Sequence, residues 1–242
     1  MCVNMQRSER PHTGFERRRL LALGMAMPLV LAACRFPRDP SDTLERVSGG
    51  TVEVGVLESA PLAAWNGPDP EGVEVDLTAD LAQTLSARPN WHARRDMALH
   101  EALERGDIDL LIGGLVADDP WSGRLAFTRP YLVESLMVEG RSGRPLDSID
   151  GLEIAVGNTY LAGLVADAGG LPVSVQEPAA AGKAISIWRL PGEEAPEGEI
   201  LLTRRHVMAV RLGENAWLLH LEQYLRGQAG RRARAALAMV QA

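Results

Sequence analysis

Apolar residues along the chain follow strand and helix periods in turn. In Thr51–Leu57 valines alternate with other residues, which predicts a strand with one face buried. Leu77, Leu81, Ala82 and Leu85 recur at helical spacing, which predicts an amphipathic helix shortly afterwards. Strands and helices that alternate in this way are typical of an α/β fold.

The segment Met97–Tyr131 repeats this order in a shorter space. Its helical pattern ends at Gly106, and Ile108–Ile112 is an apolar run, as expected of a strand buried on both faces of a parallel sheet. Gly113 and Gly114 follow at once. Ligands of open α/β sheets bind beyond the carboxyl ends of strands, and glycine lets a ligand approach the backbone closely. The two glycines are therefore candidate ligand contacts, and a plain tight turn is the alternative.

The spacing of residues in this segment resembles that of a known family. A helix carries Glu-Ala-Leu at 101–103, Gly106 and Asp109 follow it, and Phe-Thr-x-Pro-Tyr stands at 127–131 after the strand and the glycines. This order is similar to that of the family 3 extracellular solute-binding proteins, which are type II periplasmic binding proteins of ABC importers. The resemblance covers about residues 51–228. It implies a monomer of two α/β lobes with hinge strands, which binds a small-molecule solute and delivers it to an ABC permease.

The resemblance also divides the chain into parts. Residues 1–33 are predicted to be a signal peptide, and residues 34–50 a lipidated tether. Lobe I is predicted at 51–135 and lobe II at 136–207, and residues 208–242 return to lobe I and form C-terminal helices. Lobe II is predicted to be shortened by about one helix and one strand, judged against the usual length of a βαβ unit.

The N-terminal segment predicts export and a membrane anchor. Arg17–Arg19 is basic, and Leu20–Leu31 is apolar but too short to span a bilayer, which takes about 20 residues. Leu31–Cys34 resembles a bacterial lipobox, which implies cleavage before Cys34 and attachment of a lipid to its sulfur. The predicted location is the periplasm or the cell surface. An ordinary signal peptide with a chance cysteine and an uncleaved anchor are the alternatives.

Charge and cysteine content exclude several classes of site. The chain has a net charge of −7, and residues 34–242 carry 20 basic against 30 acidic residues, so nothing in the charge balance favours nucleic acid. Cys2 and Cys34 are its only cysteines, so the mature domain can form no disulfide and has no thiol nucleophile. The sequence contains no GxSxG, HExxH or P-loop motif, and its histidines lack metal-ligand spacing. We therefore predict no catalytic residue, no metal and no cofactor.

Two groups of candidate ligand contacts follow from the resemblance. The family has an aromatic residue after the first strand that stacks on the ligand, and Trp65 is the nearest candidate, with a packing role as the alternative. Gly157, Asn158 and Thr159 begin a predicted helix, whose free N–H groups can bind a carboxylate. A helix cap without a ligand is the equal alternative for these three residues.

The chain departs from the amino-acid binders of the family at a loop and at a strand. Those proteins have a threonine and an arginine before the Phe-Thr motif, and here Asp118 and Trp121 stand at the two positions. Arg124 is the substitute candidate for clamping a carboxylate. The aspartate that binds the ligand's amino group in lobe II has no counterpart.

These departures predict which solutes bind. Asp118 and Asp119 would repel a bound carboxylate, and Trp121 offers a ring face to cations or rings. We therefore predict weak binding of free α-amino acids and preference for a cationic or ring-bearing neutral solute. In the alternative, Asp118 caps a helix at Pro120 and Arg124 makes the clamp. An enzymatic lyase or dehydratase on this fold and a sensory or accessory lipoprotein are the alternative functions.

Overall fold

A computed structural model describes residues 37–93 and 96–240, and the predicted signal peptide and Cys34 lie outside them. The described residues form two five-stranded sheets, a two-stranded ribbon and several helices. The helices are α1 (Thr43–Val47), α2 (Val73–Thr84), α3 (Asp96–Arg105), a 3₁₀ helix (Pro120–Gly123), α4 (Thr159–Asp167), α5 (Asn215–Tyr224) and α6 (Gly230–Val240), with a π-helical turn (Leu225–Ala229) between the last two. None of the helices described here is long and apolar enough to cross a bilayer.

The first sheet has the order β4-β1-β5-β12-β6. Its strands are β1 (Thr51–Val56), β4 (Arg88–His92), β5 (Leu110–Ile112), β6 (Leu125–Phe127) and β12 (Ala209–Arg211), and the separate ribbon is β2 (Ala64–Trp65) with β3 (Pro70–Glu71). β1 runs parallel to both β4 and β5, whereas β12 is antiparallel to β5 and β6. Parallel neighbours need a crossover, and α2 and α3 provide the two that this sheet requires.

The core lies on both faces of the first sheet, as the apolar run of β5 predicts. Leu110 and Ile112 pack on one face with Leu81 of α2, and Leu111 packs on the other with Leu103 of α3. All five side chains are at most 1 % exposed. Burying apolar surface on both faces gives this sheet its stability and fixes the position of the loop that follows β5.

The second sheet has the order β11-β7-β10-β8-β9. Its strands are β7 (Leu132–Gly140), β8 (Glu153–Val156), β9 (Leu171–Ser174), β10 (Gly182–Arg189) and β11 (Ile200–His206). β7 is antiparallel to β10 and β11, while β8 is parallel to β9 and β10. Val165 of α4 packs against Val138 and Ile154 to form a small separate core.

The connections between strands of the second sheet bear on the predicted shortening of lobe II. Residues 175–181 connect β9 to β10 and residues 190–199 connect β10 to β11, and neither connection, both fully described, contains a helix. The strand β11 was not predicted. Its residues are three apolar positions, a threonine, two arginines and a histidine, a pattern without clear alternation, and pairing with β7 makes them a strand.

The structure moves two predicted boundaries. The whole of β7 pairs within the second sheet, so the chain crosses between sheets at residues 128–131, before the predicted lobe boundary at 135. It returns at residues 207–208. The described part of the predicted tether, from residue 38 onward, belongs to the packed fold. Val47 is fully buried, and Asp39 Oδ1 accepts hydrogen bonds from the backbone N–H groups of Ala216 and Trp217 at 2.7 and 3.0 Å.

Candidate functional site

The paired glycines after β5 are required by the loop that packs against them. Gly113 has φ 117° and Gly114 has φ 74°, a backbone region that residues with a Cβ rarely adopt. A Cβ on Gly113 would lie 2.6 Å from the carbonyl carbon of Leu57, and one on Gly114 would lie 2.9 Å from Cβ of Ser59. The close approach that the sequence predicts is therefore made by the protein's own chain.

The N–H groups of these glycines bind a buried carboxylate. Glu74, in the first turn of α2, is fully buried, and its Oε2 accepts hydrogen bonds from the N–H groups of Gly113 and Gly114 (3.1 Å for the latter). Its Oε1 accepts a hydrogen bond from the hydroxyl of Tyr131. Burial first, and then the charge and hydrogen bond of Glu74, raise the pKa of Tyr131 well above its ordinary value.

Glu74 was missed in the sequence, although a signal was present. It lies three residues before Leu77, on the apolar face of α2, where a charged residue is unexpected. Because both glycine amides donate to it, they are not available to a ligand in this structure. The arrangement holds the end of β5 against the start of α2 and against Tyr131, just before the second sheet begins.

The loop before β6 contains a cap, but at a different residue from the predicted one. Asp119 Oδ1 accepts a hydrogen bond from the N–H of Trp121 at 2.8 Å and so caps the 3₁₀ helix. Asp118 is exposed. Pro120 stands at the first helical position, as predicted, because its fixed φ suits a helix start.

The predicted ring face and clamp are occupied by groups of the protein. The ring of Trp121 stacks on His100 at 5.0 Å, and the Arg124 guanidinium lies 4.2 Å from its centroid. Arg124 also makes a bidentate ion pair with Glu104 of α3, with Nε to Oε1 at 3.0 Å. This hydrogen bonding, with the charge of Glu104, raises the pKa of Arg124. The structure thus places Trp121 and Arg124 together, in contacts that do not need a solute.

Trp65 and Asn158 make packing and capping contacts in the structure. Trp65 is half-buried against the first core, and its Nε1 donates to the carbonyl oxygen of Val56 at 3.4 Å. Asn158 caps α4, since its Oδ1 accepts a hydrogen bond from the N–H of Leu161 at 2.9 Å. Gly157 and Thr159 flank this cap and are exposed, and a Cβ on Gly157 would meet no atom within 4 Å.

The second sheet contains a polar cluster that the sequence did not reveal. We call it the Glu134 cluster, and it comprises Glu134 of β7, Ser186 of β10, and Arg204 and His206 of β11. Ser186 Oγ donates to Glu134 Oε1 at 2.7 Å, and Arg204 Nη1 and His206 Nε2 lie 3.5 and 3.4 Å from Oε2. Glu134 is directly opposite both Arg204 and Trp188 in the sheet register, so these side chains share one face.

The electrostatics of the cluster favour an ionised Glu134. The residue is 6 % exposed, and burial alone would raise its pKa. The hydrogen bonds from His206 and Ser186, together with the charges of His206 and Arg204, outweigh burial and lower the pKa of Glu134. A signal for this site existed, because Glu134 interrupts the apolar run of β7.

The cluster extends to the predicted helix start of α4. The Arg204 guanidinium lies 4.7 Å from the ring centroid of Tyr160, which is 48 % exposed and follows Thr159 directly. On the other side, the rings of His206 and Trp188 are 5.3 Å apart. A carboxylate, a hydroxyl, an imidazole and an exposed ring can together bind a polar or cationic solute. Across the described chain, no three histidine, cysteine or acidic side chains come together as metal ligands.

Solved structures with the same fold include solute-binding proteins and an enzyme. An ancestral cationic amino acid solute-binding protein aligns with TM-score 0.59 and 14 % identity, over 82 % of this chain and 99 % of that one. The L-cystine solute receptor of Neisseria gonorrhoeae aligns with TM-score 0.59 and 15 % identity, over 78 % and 92 %. An ancestral cyclohexadienyl dehydratase aligns with TM-score 0.59 and 13 % identity, over 86 % and 98 %. At these identities the likeness shows a common two-lobe fold.

Similar sequences include parts of larger enzymes. Membrane-bound lytic murein transglycosylase F of Vibrio campbellii is 34 % identical over 104 residues, which is 42 % of this chain and 19 % of the enzyme. The same enzyme of Vibrio parahaemolyticus is 33 % identical over 104 residues, 42 % of this chain and 20 % of the enzyme. The match therefore spans about a fifth of the length of these relatives.

The match to a whole protein family includes residues of both sheets. Residues 52–228 match the bacterial extracellular solute-binding proteins, family 3, which confirms the resemblance found in the motif at 101–131. The match includes α2, the glycines after β5, both crossings between the sheets, and α5. The chain belongs to the bacterial extracellular solute-binding proteins, family 3.

Proposed function

We propose that the protein binds a small polar solute between its two lobes, outside the cytoplasmic membrane, and delivers it to an ABC-type importer. The observation that carries this proposal is the pair of crossings at residues 128–131 and 207–208, within a family match that spans both sheets. Two crossings allow the lobes to close on a solute by hinge motion.

We propose further that the solute is not an ordinary α-amino acid. Recognition of its carboxylate in lobe I would need a free cation or free amides. Arg124 is paired with Glu104, and the amides of Gly113 and Gly114 are bound to Glu74. In lobe II, the Glu134 cluster supplies a buried carboxylate beside the exposed ring of Tyr160, and the Arg204 guanidinium that contacts both is the group that a cationic solute would replace. This combination supports a cationic or ring-bearing neutral solute.

A thermal-shift panel of amino acids, polyamines, betaines and heterocycles tests the solute class. A cationic or ring-bearing solute should raise the melting temperature of the wild type, since ligand at a hundred times Kd adds about 2.7 kcal/mol to the free energy of unfolding. Glu134→Gln should lose the shift, and Arg124→Ala should keep it. Tight binding of a common amino acid, lost in Arg124→Ala and kept in Glu134→Gln, would show that lobe I recognises the solute instead.

Scattering tests the hinge independently of the solute's identity. Small-angle X-ray scattering should show a smaller radius of gyration when a confirmed ligand saturates the protein, because closure brings the lobes together. An unchanged radius under saturation would exclude hinge closure, although it would leave solute binding intact.

A second candidate is an accessory module that binds a cell-wall fragment without transport. It is supported by the partial match to murein transglycosylases, and by the pairing of Arg124 with Glu104 and of Glu74 with the amides of Gly113 and Gly114. Mass spectrometry of protein purified without refolding separates the candidates. A bound murein fragment would favour the accessory module, and a small cation or heterocycle would favour transport. A turnover assay on the identified ligand tests the lyase or dehydratase alternative.

We also propose a lipid anchor on Cys34, from the lipobox at 31–34. The wild type should fractionate with membranes and carry a diacylglyceryl mass on its N-terminal cysteine, and Cys34→Ser should release the protein or stall its processing. Recovery of the wild type mainly as unlipidated protein outside the membrane fraction would contradict the anchor.

A further inference from the structure

A cavity of about 740 Å³ lies on the face of the second sheet that is opposite to the Glu134 cluster. Its lining includes Val133 and Arg205, the sequence neighbours of Glu134 and Arg204. Since successive side chains of a strand point to opposite faces, residues 133 and 205 face away from the cluster. The crossing at residues 128–131 and the turn between α5 and α6 supply other walls of the cavity. It is therefore distinct from the proposed solute site.

The lining is strongly cationic, although the chain as a whole has a net charge of −7. We call this cavity the arginine pocket. Five arginines come to it from four separate parts of the chain: Arg129, Arg189, Arg205, Arg226 and Arg231. The lining contains one carboxylate, that of Glu222. The formal charge of the lining residues is thus clearly positive.

Most of this positive charge is not compensated by the protein. The guanidinium groups of Arg205 and Arg231 make no hydrogen bond or ion pair within the described chain. Arg129 and Arg226 share the single carboxylate of Glu222, at 3.8 and 3.5 Å. Like charges that are held together repel one another unless an anion lies between them.

Arg189 gives a second, independent observation. Its Nη1 donates to the carbonyl oxygen of Glu193 at 3.0 Å, but its Nε is buried and has no hydrogen-bond partner. A buried donor without an acceptor is costly, so a charged donor of this kind points to an acceptor that the chain itself does not supply.

The remaining lining sets the size and character of what can bind. Tyr131, Val133, Leu190 and Leu225 contribute apolar surface beside the guanidinium groups. The volume lies within the range of small-molecule sites, about 300–1,000 Å³. A ligand of this pocket would have an anionic part for the arginines and an apolar part for these side chains.

We propose that the arginine pocket binds a small oxyanion with at least two negative charges, a phosphate or a di- or tricarboxylate, joined to a short apolar group. Guanidinium groups are planar and always charged, and they bind the oxygens of such anions with pairs of parallel hydrogen bonds. The site does not depend on the solute proposed for the Glu134 cluster.

Isothermal titration at low salt tests the proposal, with pyrophosphate, citrate and phenyl phosphate as the probes and no phosphate in the buffer. At least one probe should bind the wild type, and added salt should weaken the binding. The double variant Arg205→Gln/Arg231→Gln should bind at least about a hundredfold more weakly, or about tenfold for each guanidinium lost. Both side chains are exposed, so these changes should leave the fold intact.

Arg232→Gln is the matched control. Arg232 is adjacent to Arg231 on α6, but it pairs with Asp80 at 3.0 Å and does not line the pocket. The control should bind the probes as the wild type does, and so should Glu134→Gln. Lack of binding of every probe at millimolar concentration would overturn the proposal. Equal weakening of probe binding in the control would overturn the proposal as well. So would binding to phosphatidylglycerol vesicles, run as a fourth probe, if none of the three small anions bound.

Discussion

Glu74 lies beside the first sheet and Glu134 in the second, and these two buried glutamates are satisfied in different ways. Glu74, in the first turn of α2, is bound by two backbone N–H groups and a tyrosine hydroxyl. Glu134, in the second sheet, is bound by a serine, a histidine and an arginine side chain. Glu74 is fully buried and Glu134 is 6 % exposed.

The difference separates a structural carboxylate from one that can bind a ligand. The partners of Glu74 are fixed, because the backbone amides of Gly113 and Gly114 cannot rotate away from it. The partners of Glu134 end in flexible side chains, and one of them, Arg204, also contacts the exposed ring of Tyr160. A solute can replace side-chain partners at a lower cost than backbone partners, so the second lobe is the better place to look for recognition.

The largest expected effect is at the glycines. Gly113→Ala should lower the free energy of unfolding by about 4 kcal/mol, because it adds backbone strain and an overlap with Leu57. Gly157→Ala, at the matched glycine of the second lobe, should change it by less than about 0.5 kcal/mol, because its Cβ meets no atom. Urea unfolding measures both. Equal effects would show that the loop after β5 is not tightly packed.

Removal of Glu74 should have the next largest effect. Glu74→Ala leaves two amides and the Tyr131 hydroxyl buried without acceptors, which should cost about 3 kcal/mol of unfolding free energy. Asp76→Ala, an exposed carboxylate on the same helix, should cost less than about 0.5 kcal/mol. A small loss for Glu74→Ala would contradict the structural role of this carboxylate.

The Glu134 cluster should make stability depend on acid pH. Because the folded pKa of Glu134 lies below its ordinary value of 4.5, its contribution is complete above that pH and is lost as the pH falls through the folded pKa. Glu134→Gln should therefore flatten the acid limb of the stability profile. Ser186→Ala, which removes one hydrogen bond to Glu134, should cost about 1 kcal/mol at neutral pH. An unchanged acid limb in Glu134→Gln would contradict this assignment.

The smallest effect is expected at Arg124. Its guanidinium is exposed to solvent and paired with Glu104 on the surface, where ion pairs are screened by water and salt. Arg124→Ala should change the melting temperature little and leave solute binding unaltered. Arg204→Ala removes the cation that a cationic solute would displace from Glu134 and Tyr160, so it should strengthen the binding of such a solute. If the two variants showed the opposite order of effects, the first lobe would be the recognition site.

Local sequence determined much of the first lobe. Helix α3, the stop at Gly106 and the buried strand β5 follow from apolar spacing and from glycine, both of which act over a few residues. The family motif at 101–131 belongs to the same segment. The sequence also indicated that glycine is needed at 113 and 114, but it did not show that the protein's own chain is what packs against them.

Only the tertiary structure decided which polar groups meet. Glu134 is bound by side chains 52 and 72 residues further along the chain, and Arg124 by one that lies 20 residues before it. Strand β11 exists because it pairs with β7, and it brings Arg204 to one face of the sheet and Arg205 to the other. Apolar periodicity specifies which face of an element is buried. The partner of a charged side chain depends on how distant elements pack, and no local pattern records that choice.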